Sequence, residues 1–540
     1  MKKILVLLFA AGRIFSQTVN ISEYEPKDDL KRFKQVYVGQ DKDYYYTTKL
    51  VKGTFKFEVF NELDVFKYDL KTLDLIANKK IKIKEEKKSE LVFKKVIPIN
   101  GKAYLFYSIN YFKKKKVILY ASSFNADMSS SNNISTIDSL SYEKDGYVGD
   151  FIVQLSDEAD KILVLKQHHH LPELQHKFKC VVYDDVLKKV FENEIEIPYK
   201  GYYGYVKNII RMNNEKLYMF LTSLSRLDDN SKDPKLENII FIYDLKTNKL
   251  NHNSLDFSPS DSYSVKFEFD TKKRLNVIGL LSNPEKKEKY YIDIALKAEL
   301  EGAFCITFNN MCDSIINKSV RAFSELTNYN QIKNSTNKYY TINSINLFSD
   351  NSFGIICEQY TTEAYNIGEA KSPIIQVGYW YGNLFAFNIN TDEKNKWSKM
   401  FYKSQGCYKG ETQNSLHSII FLKGLSTLNF VVNVNKKLED VKNNPSIGFY
   451  DFEGVNGNKQ PGHGISSSID CYTTKKGALN KTSKLFKIDN KGQVTIQDIA
   501  DGTNYPIIYT SGRKISLGLD CIITQDLEEL SKKVQKITFK

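Results

Sequence analysis

The chain has 540 residues, of which 13% are aromatic, with 35 Tyr and 33 Phe against 2 Trp and 11 Pro, and a formal charge of +13. Such Tyr and Phe usage favours strands over helices and excludes a disordered chain. The charge excess is modest, 77 basic against 64 acidic residues, and argues against nucleic acid as a partner.

Residues 1–17 carry the pattern of a secretory signal peptide: Lys2 and Lys3, then the apolar run of residues 4–12. Arg13 and the region of Phe15, Ser16 and Gln17 depart from the ideal cleavage pattern. The run is shorter than the roughly 20 residues a bilayer span needs, and no later stretch is long and apolar enough for a transmembrane helix. The first cysteine is Cys180, so none stands near the signal to take a lipid. Loss of Lys2, Lys3 and Arg13 with the signal leaves a charge of +10. The expectation is a periplasmic or cell-surface protein that does not span the membrane, with residues 18–540 as a single domain.

Two phrases recur along that body. One is a polar turn followed by a very apolar strand: residues 160–165 (DKILVL), 214–221 (NEKLYMFL), 273–280 (KRLNVIGL), 350–356 (DNSFGII) and 426–432 (STLNFVV). The other is an apolar strand ending in Tyr-Asp, then a turn and a lysine-rich strand. Residues 65–72 (VFKYDLKT) and 240–247 (IFIYDLKT) are nearly identical, and residues 180–185, 384–390, 447–452 and 485–490 are variants. Lysine runs such as residues 113–116 and 79–95 read as the solvated faces of edge strands. Residues 128–133 and 456–464 read as loops, and residues 526–533 as a two-turn helix near the C-terminus. Apolar strands alternating with amphipathic hairpins at a period of several tens of residues predict an all-β fold. We expect a β-propeller of about seven blades, within a range of six to eight, with a short C-terminal closing segment.

Residues 354–360 (GIICEQY), 382–390 (GNLFAFNIN), 396–399 (KWSK), 403–405 (KSQ) and 428–435 (LNFVVNVN) follow one another in an order that resembles an uncharacterised family of exported β-propeller-like proteins of the Bacteroidota. Residues 182–184 and 191–199 fit the same pattern more loosely. The resemblance implies an exported propeller and carries no catalytic residue onto this chain. Here the last of these strands lacks the Asp the pattern leads one to expect, which puts an ion-binding role there in doubt.

His168, His170 and His176, with Glu173 between them, form the densest set of metal-ligand types. Their spacing matches no standard motif and Pro172 opposes a helix, so a His-rich loop without metal is the plainer reading. Glu358 and Gln359 end an apolar strand and are candidates for a ligand contact or a structural hydrogen bond. Tyr379, Trp380 and Tyr381 are adjacent, and three neighbouring strand residues cannot all face one core. At least one is a candidate contact for a partner. Trp397 reads either as a core residue or as a sugar platform. Seven cysteines include no C-x-x-C, and only the spacing of Cys305 and Cys312 suggests a hairpin disulfide.

No nucleophile elbow, P-loop, H-E-x-x-H or dinucleotide fingerprint is present. No cofactor is expected. The function expected from sequence is a non-catalytic exported propeller that binds an envelope protein or glycan. The alternative is a carbohydrate-active hydrolase or lyase using channel carboxylates such as Glu358.

Overall fold

Strands that are apolar at every position need cover on both faces, and the chain provides it by standing sheets side by side. The computed structural model describes residues 18–21, 33–40, 43–52, 60–69, 71–72, 74–82, 89–100, 102–124, 134–142, 149–167, 177–196, 203–225, 235–257, 261–282, 300–325, 339–366, 375–391, 396–407, 419–422, 427–435, 448–450, 481–498, 515–516, 521–525 and 534–538. The signal region, the helix expected at 526–533, and the loops at 128–133 and 456–464 lie outside the described residues.

After β1 (Thr18–Ile21), seven sheets follow in chain order. The first blade is β2 (Phe33–Gln40), β3 (Tyr44–Lys52), β4 (Phe60–Asp69) and β5 (Leu75–Lys82). The second is β6 (Ser89–Ile99), β7 (Lys102–Tyr111), β8 (Lys116–Phe124) and β9 (Ile134–Ser141). The third is β10 (Asp150–Leu155), β11 (Ile162–Gln167), β12 (Lys177–Tyr183) and β13 (Lys189–Glu196). The fourth is β14 (Tyr203–Met212), β15 (Lys216–Ser225), β16 (Lys235–Asp244) and β17 (Lys249–Leu255). The fifth is β18 (Asp261–Phe269), β19 (Leu275–Ser282), β20 (Leu300–Phe308) and β21 (Ile315–Ala322). The sixth is β22 (Tyr339–Leu347), β23 (Phe353–Asn366), β24 (Ile375–Ile389) and β25 (Ser398–Cys407). The seventh uses β26 (Ile419–Leu422), β27 (Thr427–Asn435), β29 (Lys481–Asp489) and β30 (Val494–Asp498). Between β27 and β29 the chain sends β28 (Gly448–Tyr450) to the edge of the sixth blade, where it pairs parallel to β25.

The chain ends share one further sheet, in the order β1, β33 (Val534–Thr538), β32 (Cys521–Gln525), β31 (Ile515–Ser516), with Thr18 opposite Thr538. Among the described residues, the expected blades are seven consecutive sheets, and the expected closing segment is this eighth one. One expected repeat is corrected: residues 448–450 are not the third strand of a blade but the added fifth strand of the sixth. They lie within a connection of the seventh blade, so no fresh sheet is available to them there.

The first strands of successive blades, from β2 through β6, β10, β14 and β18 to β22, lie beside one another and form the inner ring. Six apolar clusters fill the six spaces between the seven blades. Alternate residues of one strand serve different clusters. In β11, Ile162 and Val164 face the second blade, while Leu163 and Leu165 face the fourth. In β19, Val277 faces the fourth blade and Ile278 and Leu280 the sixth. This is why these strands lack polar alternation.

The Tyr-Asp phrase is the turn between third and fourth strands. Asp69 Oδ1 accepts the N–H groups of Lys71 at 2.6 Å and Thr72 at 2.8 Å. Asp244 receives Lys246 and Thr247 in the same way, at 2.9 and 2.8 Å. Asp184 and Asp489 repeat the device. Side-chain oxygens thus satisfy turn donors that the ladder leaves unpaired. The Thr72 backbone N–H foremost holds the Asp69 carboxyl below its ordinary pKa. Asn213, Asp270 and Asp350 brace the turns between first and second strands.

Gly279 sits in β19 where a Cβ would lie 2.5 Å from the Phe304 ring, itself fully buried and packed on Phe257. Gly279→Ala is therefore expected to destabilise the protein by about 1–3 kcal/mol through overpacking, measured by urea denaturation.

Candidate functional site

The inner ring is the part of a propeller where different blades bring side chains together, so its polar residues are the first to consider. Five of its strands carry an irregularity in register: β2 near Tyr37, β6 at Phe93 and Lys95, β14 after Tyr205, β18 at Tyr263 and Lys266, and β22 at Ile342 and Ser344. Such bulges re-aim side chains. In β6 the extra residue is Lys94, which pairs with Asp150 at the start of β10. Its neighbour Lys95 donates from Nζ to Gln154 Oε1 at 2.8 Å, and burial pulls its ammonium below the ordinary lysine value. Burial lowers Lys266 on β18 as well, against the opposing pull of Glu268. Ser264, in the β18 bulge, accepts the Ile342 N–H of β22 at 2.7 Å.

Arg211 on β14 ties three blades. Its Nε donates to both oxygens of Asp157, at 3.0 and 2.9 Å, and its Nη1 to the Phe267 carbonyl of β18 at 2.8 Å. The guanidinium lies 4.5 Å from the centre of the Phe269 ring. These contacts stitch neighbouring inner strands with hydrogen bonds and charge. They place no nucleophile beside a base.

The residues singled out by sequence divide. Glu358, on β23, is 1% exposed and accepts the Asn343 amide of the β22 bulge at 2.7 Å. Gln359 stands at the point where β23 slips against β24 and is equally buried. Both belong to the framework behind the inner ring. Tyr379, Trp380 and Tyr381 lie on β24, opposite Thr362, Thr361 and Tyr360 of β23 and opposite Cys407, Gly406 and Gln405 of β25. β22 ends at the pair Tyr339–Tyr360, so Tyr379 and Trp380 stand where the β23–β24 hairpin extends past it. His168, His170 and His176 lie outside the described residues. Among the described residues, no three His, Cys, Asp or Glu come together as metal ligands.

Trp397 is in the core, 8% exposed, in the cluster between the sixth and seventh blades. Its Nε1 donates to the Asn490 carbonyl at 2.9 Å and its backbone N–H to Asn388 Oδ1 at 2.9 Å. Gly492, at φ +77°, allows the indole to close on the turn, since a Cβ there would lie 2.5 Å from Trp397 Cγ. Sequence reading missed the residue that completes this group. Arg321, in outer strand β21, is 4% exposed and donates from Nη1 to Asn388 Oδ1 at 2.9 Å and to the Trp397 carbonyl at 3.0 Å. The only sequence signal was Asn388, which stands where most repeats have Asp.

The spacing of Cys305 and Cys312 does not become a disulfide. Both thiols are free, as are those of Cys180 and Cys357, and all four are buried. Cys305 points between the fifth and sixth blades and Cys312 between the fourth and fifth, so opposite faces of one sheet separate them. Burial pushes the Cys180 and Cys305 thiols up to about 12 and raises Cys312 and Cys357 too.

Two outcomes follow. Trp397→Ala removes a buried indole and leaves polar partners unmatched, so a loss of about 3–5 kcal/mol in denaturant unfolding is expected. The four described thiols should stay unreactive toward a disulfide reagent in the native state at about pH 8 and react once unfolded, read by mass spectrometry of labelled peptides.

No family model and no curated protein matches this chain. Among solved structures it is similar to the β-propeller domain of the Trilobed protease from Pyrococcus furiosus, at 10% identity and TM-score 0.32, covering 68% of this chain and 95% of that one. It is similar to the WD40 domain of SCAP from fission yeast, at 9% identity and TM-score 0.35, covering 94% and 98%. A PL25 ulvan lyase matches at 9% identity and TM-score 0.33, covering 82% and 91%. Likeness this remote bears on no function; the chain's own sheets make it a β-propeller.

Proposed function

We propose that this protein is an exported, non-catalytic propeller that captures a protein or glycan partner in the cell envelope. The observation that carries the reading is an asymmetry between its two ends. Antiparallel order puts the turns between first and second strands and between third and fourth strands at one end, where most are short and braced by Asp, Asn or Ser, the longer ones being residues 125–133 and 390–397. The connections between second and third strands emerge at the other end. They include residues 168–176, 226–234, 283–299, 367–374 and 436–480. Long connections on a rigid scaffold are where binding residues concentrate. The extended β23–β24 hairpin with Tyr379, Trp380 and Tyr381 points to that same end.

The buried state of Glu358 supports a non-catalytic role, because a glycosidic carboxylate must meet substrate and water. Export is supported by the sequence pattern of residues 1–17, Lys2 and Lys3 followed by an apolar run. Affinity capture tests the reading. The folded chain from residue 18, used as bait in a solubilised envelope fraction of the source cells, should recover one stoichiometric protein or glycan that heat-unfolded bait does not. Replacing Trp380 by Ala should weaken that capture. Recovery of no such partner, or turnover of an envelope polysaccharide by the purified chain, would overturn the proposal.

A further inference from the structure

The turn between β7 and β8 takes part in none of the sites above. It is a short 3-10 turn, Phe112–Lys114, followed by Lys115 and Lys116. Phe112 is 41% exposed, Lys113, Lys114 and Lys115 are exposed, and Lys116 is half-buried. β7 and β8 themselves carry no acidic residue, and on the neighbouring strand β6 the exposed Glu90 stands opposite Asn110.

The tip is held rather than loose. Tyr111 and Lys116 are paired in register, and the Lys115 N–H donates to the Phe112 carbonyl at 3.2 Å. The Tyr142 N–H donates to the Lys115 carbonyl at 3.0 Å, and the Tyr111 and Tyr120 hydroxyls meet at 3.1 Å. Lys115 adopts the left-handed conformation at φ 48°, where glycine or asparagine is more usual. The chain keeps a charge at a position whose backbone favours a residue without one.

We propose that this turn docks the protein on an anionic lipid surface, with Phe112 entering the headgroup region and the four lysines meeting lipid anions around it. An apolar apex collared by cations is the chemistry of a membrane interface. Each lysine gains from the negative surface potential only within about a Debye length, some 8 Å at physiological salt, and a projecting tip brings all four that close. A soluble polyanion would engage the lysines, but the Phe112 ring offers it no hydrogen-bonding group. The turn joins second and third strands, so it projects at the end opposite the braced turns. The inference is independent of the partner-capture reading: one turn can rest on a membrane whatever the propeller holds elsewhere.

Co-sedimentation of the chain from residue 18 with vesicles tests it. Binding is expected to phosphatidylglycerol–phosphatidylcholine vesicles and not to phosphatidylcholine alone, and it should fall steeply with added salt. The triple variant Lys113→Gln, Lys114→Gln, Lys115→Gln should bind roughly a hundred-fold more weakly. Phe112→Ser should lose about ten-fold. A control of equal charge at the opposite end, Lys71→Gln, Lys249→Gln, Lys272→Gln, should bind as the parent does. The proposal is overturned if the parent ignores anionic vesicles, if binding is insensitive to salt, or if both triple variants lose equally. Undiminished binding by Phe112→Ser would point instead to a polyanion site and would also overturn it. Thermal unfolding of each variant confirms that it is folded.

Discussion

Everything in this structure follows from sheets whose two faces are both apolar. A strand such as β11 or β19 has no side to turn to water, so one sheet alone is not stable and each must be clamped between two others. The inter-blade clusters are the core, divided into slices. The division also explains the gradient across each blade. Middle strands such as β11 and β19 are dominated by Leu, Ile and Val, inner strands such as β18 and β22 mix apolar with polar residues, and outer strands such as β13 and β21 alternate with water-facing residues and lysines that discourage edge pairing. A ring built this way needs its ends joined, and β1 joins them by pairing with β33.

Apolar slices make buried polar groups costly unless they are paired. The polar residues inside this ring are accordingly spent on fastening. Arg211 ties the third, fourth and fifth blades through Asp157 and the Phe267 carbonyl. Arg321, Asn388 and Trp397 tie the fifth to the sixth, and the Trp397 indole reaches Asn490 of the seventh. Glu358 holds the Asn343 amide where β22 bulges. These buried Arg, Glu, Asn and Trp side chains are the rivets of the ring.

The two ends of the blades differ in construction. On one, most turns are short and their Asp and Asn oxygens satisfy their own backbone. The other carries the long connections, the extended β23–β24 hairpin and the basic turn at Phe112.

The sequence by itself determined the repeating unit. Apolar runs and the Tyr-Asp turn are local patterns, set by side-chain burial and by hydrogen bonds two to four residues long, so Asp69, Asp184, Asp244 and Asp489 were legible before any fold. Only the tertiary structure decided which polar residues are rivets and which are available. Arg321 reaches Asn388 across 67 positions, and the strand NKSVRA around it reads like any solvated edge. Residues 447–452 carried the repeat phrase, yet residues 448–450 lie on the edge of a neighbouring blade. Glu358 and Trp397 looked like candidates for contact and turned out to be buried. Periodicity reports which faces must be covered. What covers them is set by the blade next door, through contacts too distant in sequence for a local pattern to encode.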